Sequence, residues 1–183
     1  MNAGINKTYA ALLELTARAI SKSQADTDTV LSVGVLSDDE WRAVYEAAVR
    51  GGVCALVWDA VQRLDKSLWP PRGLRLQWGV GASVIASGYE DRKARILELT
   101  GRWAEAGIKT YCLKGLALSQ YYPKPELRES GDFDCWLGDD FDLGNKVAVS
   151  LGATFDPHDY RHSVLTYNGL KVENHRYFLA IRG

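Results

Sequence analysis

The stretch Gly131-Asp132-Phe133-Asp134-Cys135-Trp136-Leu137 decides the fold class, because it places two carboxylates two residues apart in an otherwise apolar, strand-like run. Alternate residues of a strand face the same side of a sheet, so Asp132 and Asp134 are predicted to stand side by side. Phe133 and Cys135 are then turned to the opposite face. Adjacent anions in a half-buried setting repel each other and lose hydration, which favours a divalent cation between them. The alternative is a solvated strand end, with Asp132 capping a turn and Asp134 facing water.

The segment upstream of this strand has the order of a phosphate-binding turn. Residues 108–113 predict a short strand, Lys114 and Gly115 a turn, and residues 116–122 a short helix. Glycine lets the backbone approach a ligand closely, and the first N–H groups of a helix are unpaired. Lys114 would add a positive charge at the same turn. The alternative is that Gly115 serves only packing, as it does at many strand–helix turns.

Downstream, Asn168-Gly169 separates two β-rich runs, residues 163–167 and 170–175. This dipeptide is the strongest short hairpin signal, because a type I′ turn needs positive φ at both central positions. Glu173 then lies on the second strand of the hairpin, on the same face as Lys171 and His175. The alternative is an exposed hairpin face that carries charged residues without a bound ligand.

Together these residues resemble the uncharacterised nucleotidyltransferases of the DNA-polymerase-beta-like superfamily. The resemblance is specific over residues 111–137 and looser as far as residue 178. It rests on Leu113-Lys114-Gly115-Leu116-Ala117-Leu118, Tyr122-Pro123, Arg128 and Gly131-Asp132-Phe133-Asp134. In that superfamily a glycine motif holds the nucleoside triphosphate, and two acids on the next strand, usually with a third on a later strand, hold two magnesium ions. One departure is Leu116, which follows Gly115 where the superfamily often has serine.

The resemblance implies a role for each matching residue. Three acids would be the catalytic residues and the ligands of Mg²⁺ or Mn²⁺: Asp132, Asp134 and Glu173. Three further residues would bind the nucleotide: Lys114, Gly115 and Arg128. Arg128 lies four residues before Asp132, so it would either neutralise phosphate or pair with that acid. His175 follows Glu173 in the acid-x-His pattern of the family, and Glu173 is the first candidate for the base that takes the proton of the attacking hydroxyl.

Composition and charge limit the acceptor and the compartment. The 183 residues carry a net charge of −1 and show no basic patch, so a small molecule or a protein is a better acceptor than a long nucleic acid. No run of 18 apolar residues predicts a membrane span, and the first residues do not resemble a signal peptide. Three scattered cysteines, Cys54, Cys112 and Cys135, lie in apolar runs and predict reduced core residues. A cytoplasmic protein is therefore expected.

The predicted fold is α+β, with a helical N-terminal region over residues 1–106 and a small mixed-sheet nucleotidyltransferase core with flanking helices over residues 107–183. A capping box at residues 37–40 predicts a helix start. A long helix is expected over residues 72–106, with interior glycines that could break it, and another over residues 139–151. Because relatives implied by the resemblance are generally longer, the core could be truncated at its C-terminus.

Two functions from different classes remain open on the sequence. The first is a metal-dependent nucleotidyltransferase that moves NMP from an NTP to a hydroxyl of an unknown small-molecule or protein acceptor. The second is a catalytically inactive nucleotide-binding or regulatory domain of the same fold. A transition-metal site at His158 and His162 is disfavoured, because Pro157 makes a regular helix there doubtful and no cysteine lies nearby.

Overall fold

The computed structural model describes residues 6–21, 29–156 and 161–177. The chain is mixed α+β, with a helical N-terminal region and a five-stranded mixed sheet, so the predicted fold class is confirmed. It divides into two compact units, Met1–Tyr89 with Tyr121–Glu129, and Glu90–Gln120 with Ser130–Gly183. The helices are α1 Lys7–Ile20, α2 Asp38–Arg50, α3 Cys54–Val61, α4 Arg72–Glu105, α5 Leu116–Ser119 and α6 Phe141–Ser150. The strands are β1 Tyr111–Cys112, β2 Asp132–Trp136, β3 Thr154–Asp156, β4 His162–Tyr167 and β5 Leu170–His175.

The first unit is a helical bundle with tryptophans in its core. The capping box at the start of α2 is present, since the Glu40 amide donates to Ser37 Oγ at 3.3 Å and the Ser37 amide donates to Glu40 Oε2 at 2.7 Å. Trp78 is fully buried, and its indole nitrogen donates to the Cys54 carbonyl at 2.9 Å. Tyr45 meets the Trp78 ring edge-on at 5.2 Å. These aromatic contacts hold the helices of the first unit together.

Helix α4 runs unbroken for 34 residues, so the glycines in it cause no interruption. A Cβ atom at Gly79 would lie 3.6 Å from the Trp58 ring, which is an ordinary van der Waals distance. Gly81 has nothing within 4 Å of such an atom. Tertiary contacts along the helix therefore outweigh the low helix propensity of glycine.

The sheet of the second unit has the strand order β1-β2-β5-β4-β3. Strands β2 and β5 are parallel, and the other three pairs are antiparallel. The predicted hairpin is confirmed, with φ +48° at Asn168 and +77° at Gly169 between β4 and β5. Strand β1 is only two residues long, shorter than the expected 108–113, and α5 ends at Ser119 rather than near residue 122. The Gly115 turn thus connects two short elements.

The two faces of the sheet differ in the way that the alternation predicts. Phe133 and Cys135 of β2 and Val172 of β5 are buried in the core of the second unit. Trp103 of α4 joins that core and donates to the Gly144 carbonyl of α6 at 3.0 Å. The opposite face carries the charged residues of β2 and β5, and it holds the candidate site.

All three cysteines are free thiols, as predicted. Cys54 and Cys135 are buried, and Cys112 is partly buried. Burial raises the pKa of the Cys54 thiol to about 11, with a further contribution from the charge of Glu129. Burial also raises the pKa of Cys135 and of Cys112. These thiols therefore stay protonated and unreactive near neutral pH.

Candidate metal and nucleotide site

The site is built on the parallel pair β2 and β5. In this register Asp134 pairs with Glu173, and Trp136 pairs with His175. Asp134, Glu173 and His175 each offer one ligand atom, and the three atoms lie within 4.8 Å of one another. His175 Nε2 lies 3.0 Å from Asp134 Oδ1 and 4.0 Å from Glu173 Oε2. The fold thus brings two carboxylates and an imidazole from distant parts of the chain to one point.

Asp134 is the most constrained member of this group. Its side chain is 1% exposed, and its Oδ1 accepts a hydrogen bond from Lys114 Nζ at 2.9 Å. Its other oxygen, Oδ2, is buried and has no hydrogen-bond partner among the residues that the structure describes. A buried, unpaired carboxylate oxygen is costly, and a bound cation would remove that cost.

Two lysines offset the charge of the acids. Lys171 Nζ lies 2.7 Å from Glu173 Oε1, and Lys114 Nζ lies 2.9 Å from Asp134 Oδ1. The hydrogen bond to Asp134 raises the pKa of Lys114, and the hydrogen bond to Glu173 raises the pKa of Lys171. Both lysine side chains are about half exposed, so each can swing away from its partner without disturbing the core.

The donor set fits a divalent metal. Carboxylate oxygens are the ligands that Mg²⁺ and Mn²⁺ prefer, while the imidazole of His175 suits transition metals better than magnesium. Ligands bound at about 2.1 Å to one ion lie at most about 4.2 Å apart. The separations of His175 Nε2 from Asp134 Oδ1 and Glu173 Oε2 already satisfy that limit. The remaining pair, one oxygen each of Asp134 and Glu173, lies within 4.8 Å.

Asp132 lies beside this group rather than inside it. It begins β2, is half-buried and pairs in register with Lys171, while Asp134 is enclosed near the middle of the strand. Its charge contributes to raising the pKa of both Lys114 and Lys171, so it shares their electrostatic surroundings. The role of Asp132 as a metal ligand stays a prediction, as do the roles of Asp134 and Glu173.

His175 is the group member that the sequence did not assign as a ligand. The signal was its position two residues after Glu173, which places both on one face of β5. The sequence alone could not show that β5 would pair with β2, and only that pairing brings the imidazole to Asp134. Of the other histidine pair, His158 lies outside the described residues, and the His162 ring lies 5.5 Å from the His175 ring.

The turn at Gly115 disfavours a side chain, because its backbone has a positive φ and its surroundings are tight. Its φ is +58° and its ψ is −110°, a conformation that glycine reaches with little strain. A Cβ atom there would lie 3.1 Å from Ser130 Oγ and 3.4 Å from the Asp132 carbonyl oxygen. The structure thus gives Gly115 a packing role at the start of β2, and its role in nucleotide binding stays a prediction.

Arg128 belongs to the first compact unit, whereas the other predicted site residues belong to the second. Its guanidinium lies over the Tyr122 ring, 6.0 Å from the centroid, and its Nη1 donates to the Glu129 carbonyl at 3.5 Å. Nucleotide binding by Arg128 therefore stays a prediction.

Most of the chain matches a known sequence family. The sequence model of a family described as "Uncharacterised nucleotidyltransferase" matches residues 37–182. Neither the curated proteins nor the solved structures give a significant match to the chain. Across residues 6–21, 29–156 and 161–177, no helix combines the length and apolar character needed to cross a membrane.

Proposed function

This chain belongs to the uncharacterised nucleotidyltransferase family. We propose that it transfers a nucleoside monophosphate from a nucleoside triphosphate to a hydroxyl group of a small-molecule or protein acceptor, by attack of the hydroxyl oxygen on the α-phosphorus and release of pyrophosphate. The reaction depends on Mg²⁺ or Mn²⁺ held between β2 and β5. The family supports the class of reaction. The observation that carries the metal dependence is Asp134, which groups with Glu173 and His175 and whose buried Oδ2 has no hydrogen-bond partner among the described residues.

The acids of the site have separate tasks. Asp134 holds the cation from a fixed position, because burial allows its side chain little freedom. Asp132 at the start of β2 completes the ligand set on the more open side. Glu173 also takes the proton of the attacking hydroxyl, which a positioned carboxylate can do as a general base. When bound, the metal supplies charge stabilisation for the attacking and leaving oxygens of an in-line displacement at phosphorus.

The lysines act as exchangeable counter-charges. Without nucleotide, Lys114 neutralises Asp134 and Lys171 neutralises Glu173. A bound cation would replace the lysines as the counter-charge of these carboxylates, and the half-exposed ammonium groups would then be available to pair with the triphosphate. Lys114 precedes the Gly115 turn, so it reaches the phosphates from the same segment that the resemblance assigns to nucleotide binding.

A second candidate function rests on Leu116, which offers no hydroxyl to a phosphate group where the superfamily often has serine. This substitution favours a nucleotide-binding or regulatory domain without turnover. Such a domain would still bind nucleotide with a divalent ion through Asp134 and Glu173. It would not transfer a radiolabelled α-phosphate to any acceptor.

The test is nucleotide binding by calorimetry, with each of the four common ribonucleoside triphosphates, with and without Mg²⁺ or Mn²⁺. We expect binding that needs the divalent ion and that weakens by at least about tenfold in the double variant Asp132→Asn/Asp134→Asn. The matched control is Asp139→Asn, which removes an exposed carboxylate beyond β2. Unchanged affinity in the double variant would rule out the metal site. Binding without transfer of an α-phosphate label would favour the second candidate.

A further inference from the structure

A groove of about 840 Å³ lies entirely within the first compact unit, along the N-terminal half of α4. The rings of Trp58 and Trp69 form part of its wall. The indole N–H of Trp69 donates to the Leu64 carbonyl at 3.0 Å. Trp69 therefore contributes an apolar ring surface to the groove, not a hydrogen-bond donor. A volume in this range is typical of sites for small molecules.

The α4 side of the groove is apolar and exposed. Leu76, Val80 and Val84 are spaced four residues apart, which places them on one face of the helix. Their exposed fractions are 63%, 65% and 66%. A contiguous exposed apolar surface of this kind is costly in water and is characteristic of a binding surface.

The charge of the groove is positive. Arg72 and Arg75 both line it, and none of the described residues that line it is acidic. The guanidinium of Arg75 lies over the Trp69 ring, 5.4 Å from the centroid. Its Nε is buried and finds no hydrogen-bond acceptor among the described residues. A buried cationic donor without an acceptor calls for an anion.

We infer that this groove binds an amphipathic small-molecule anion. The aromatic or other apolar body of the ligand lies against Trp58, Trp69 and the exposed face of α4. A carboxylate, phosphate or sulfonate group accepts the hydrogen bond of Arg75 Nε. A second copy of the chain is disfavoured as the occupant, because an apolar helix face would leave that donor unpaired. The site is independent of the proposed nucleotidyl transfer, since the groove contains no residue of β2 or β5.

The experiment is a fluorescence titration of the full chain with two probes of similar size, anilinonaphthalene sulfonate and the neutral phenylnaphthylamine. We expect saturable binding of the sulfonate and markedly weaker binding of the neutral probe. Arg75→Gln should weaken sulfonate binding by at least about tenfold, because the charged hydrogen bond is lost. The control Arg42→Gln removes an exposed arginine of α2 and should leave binding unchanged.

A second variant keeps the inference falsifiable if Arg75→Gln disturbs the fold. Val80→Glu places a negative charge in the groove at an exposed position, and it should weaken sulfonate binding, while Val49→Glu on α2 should not. Equal binding of both probes, or full sulfonate binding by folded Arg75→Gln or Val80→Glu, would overturn the inference. A wild-type dimer that Val80→Glu dissociates would also overturn it, because the groove would then be an interface. Asp132→Asn/Asp134→Asn should bind the sulfonate normally, which separates this site from the proposed transfer.

Discussion

Asp134 and Glu173 occupy paired positions on the parallel strands β2 and β5. Each carboxylate forms an ion pair with a lysine, Asp134 with Lys114 and Glu173 with Lys171. Neighbouring strands are about 4.8 Å apart, so two anions at paired positions repel each other strongly unless cations intervene. Lys114 and Lys171 supply those cations. The two lysines thus offset the repulsion between the carboxylates, and under the proposed function a metal and a nucleotide would replace them as counter-charges.

Glu173→Gln should strongly reduce transfer while leaving the hairpin folded. The amide keeps the size of the side chain but loses the charge and the basicity that the hydroxyl proton requires. We expect transfer of an α-phosphate label to fall by about 10²–10⁴-fold, while nucleotide binding is partly retained. The matched control is Glu105→Gln at the exposed end of α4. If wild type and Glu173→Gln transfer label equally well, the third ligand must be sought elsewhere, with Asp156 and Asp159 next; of these, Asp159 lies outside the described residues.

His175→Gln should change the metal preference of the site. Imidazole is a better ligand for Mn²⁺ than for Mg²⁺, so its removal should weaken Mn²⁺ binding more than Mg²⁺ binding. Electron paramagnetic resonance of free Mn²⁺, with Mg²⁺ as competitor, measures both. The control is His162→Gln, which alters the neighbouring histidine on β4. An unchanged ratio of the two affinities would remove His175 from the ligand set.

Gly115→Ala should destabilise the second unit by about 1–2 kcal/mol, because an L-residue is strained at this positive φ. The Cβ contact with Ser130 adds to that cost. The double variant Gly115→Ala/Ser130→Gly should recover only the contact part. If Gly115 also approaches a phosphate, nucleotide affinity measured well below the melting temperature should fall further than stability does. Lower stability with intact nucleotide affinity would leave Gly115 with packing alone.

Gly144→Ala and Gly101→Ala should shift thermal stability in opposite directions. A Cβ atom at Gly144 would lie 2.1 Å from Leu137 Cδ1, and Leu137 is buried, so the packed core would have to move. At Gly101 on α4 nothing lies within 4 Å of such an atom. Alanine there should stabilise by about 0.5–1 kcal/mol through helix propensity. Differential scanning calorimetry of both variants measures the two signs, and a stabilising Gly144→Ala would show that Leu137 repacks freely.

Cys54 predicts a loss of stability in alkaline solution. Its pKa is raised to about 11 in the folded chain, so above the ordinary thiol pKa the unfolded chain releases a proton that the folded chain retains. Its contribution to stability is thus present at neutral pH and is lost as pH rises from about 9 towards 11. Thermal melts over that range should fall more steeply for wild type than for Cys54→Ala. Parallel slopes would show that another group governs the alkaline transition.

Local signals in the sequence predicted local structure well. The capping box at Ser37, the turn at Asn168-Gly169 and the alternation of β2 all depend on residues within a few positions of one another. The parallel pairing of β2 with β5 could not be derived from periodicity, because register between distant strands is set by tertiary packing. For the same reason the burial of Asp134 and the closeness of His175 were not predictable from their neighbours in the chain.

The β4–β5 hairpin joins strands that are adjacent in sequence, whereas the β2–β5 pairing joins distant ones, so the hairpin is expected to form first. Strands β4 and β5 are joined by two residues, and hairpins of this kind form in about 1–10 μs. Asp134 and His175 are separated by 41 positions, so their contact must first close a much longer loop. Asp134 and His175 are therefore expected to meet after the hairpin has formed. A divalent ion at the proposed site would therefore bind after the sheet has formed, unlike the zinc of a zinc finger, which drives folding.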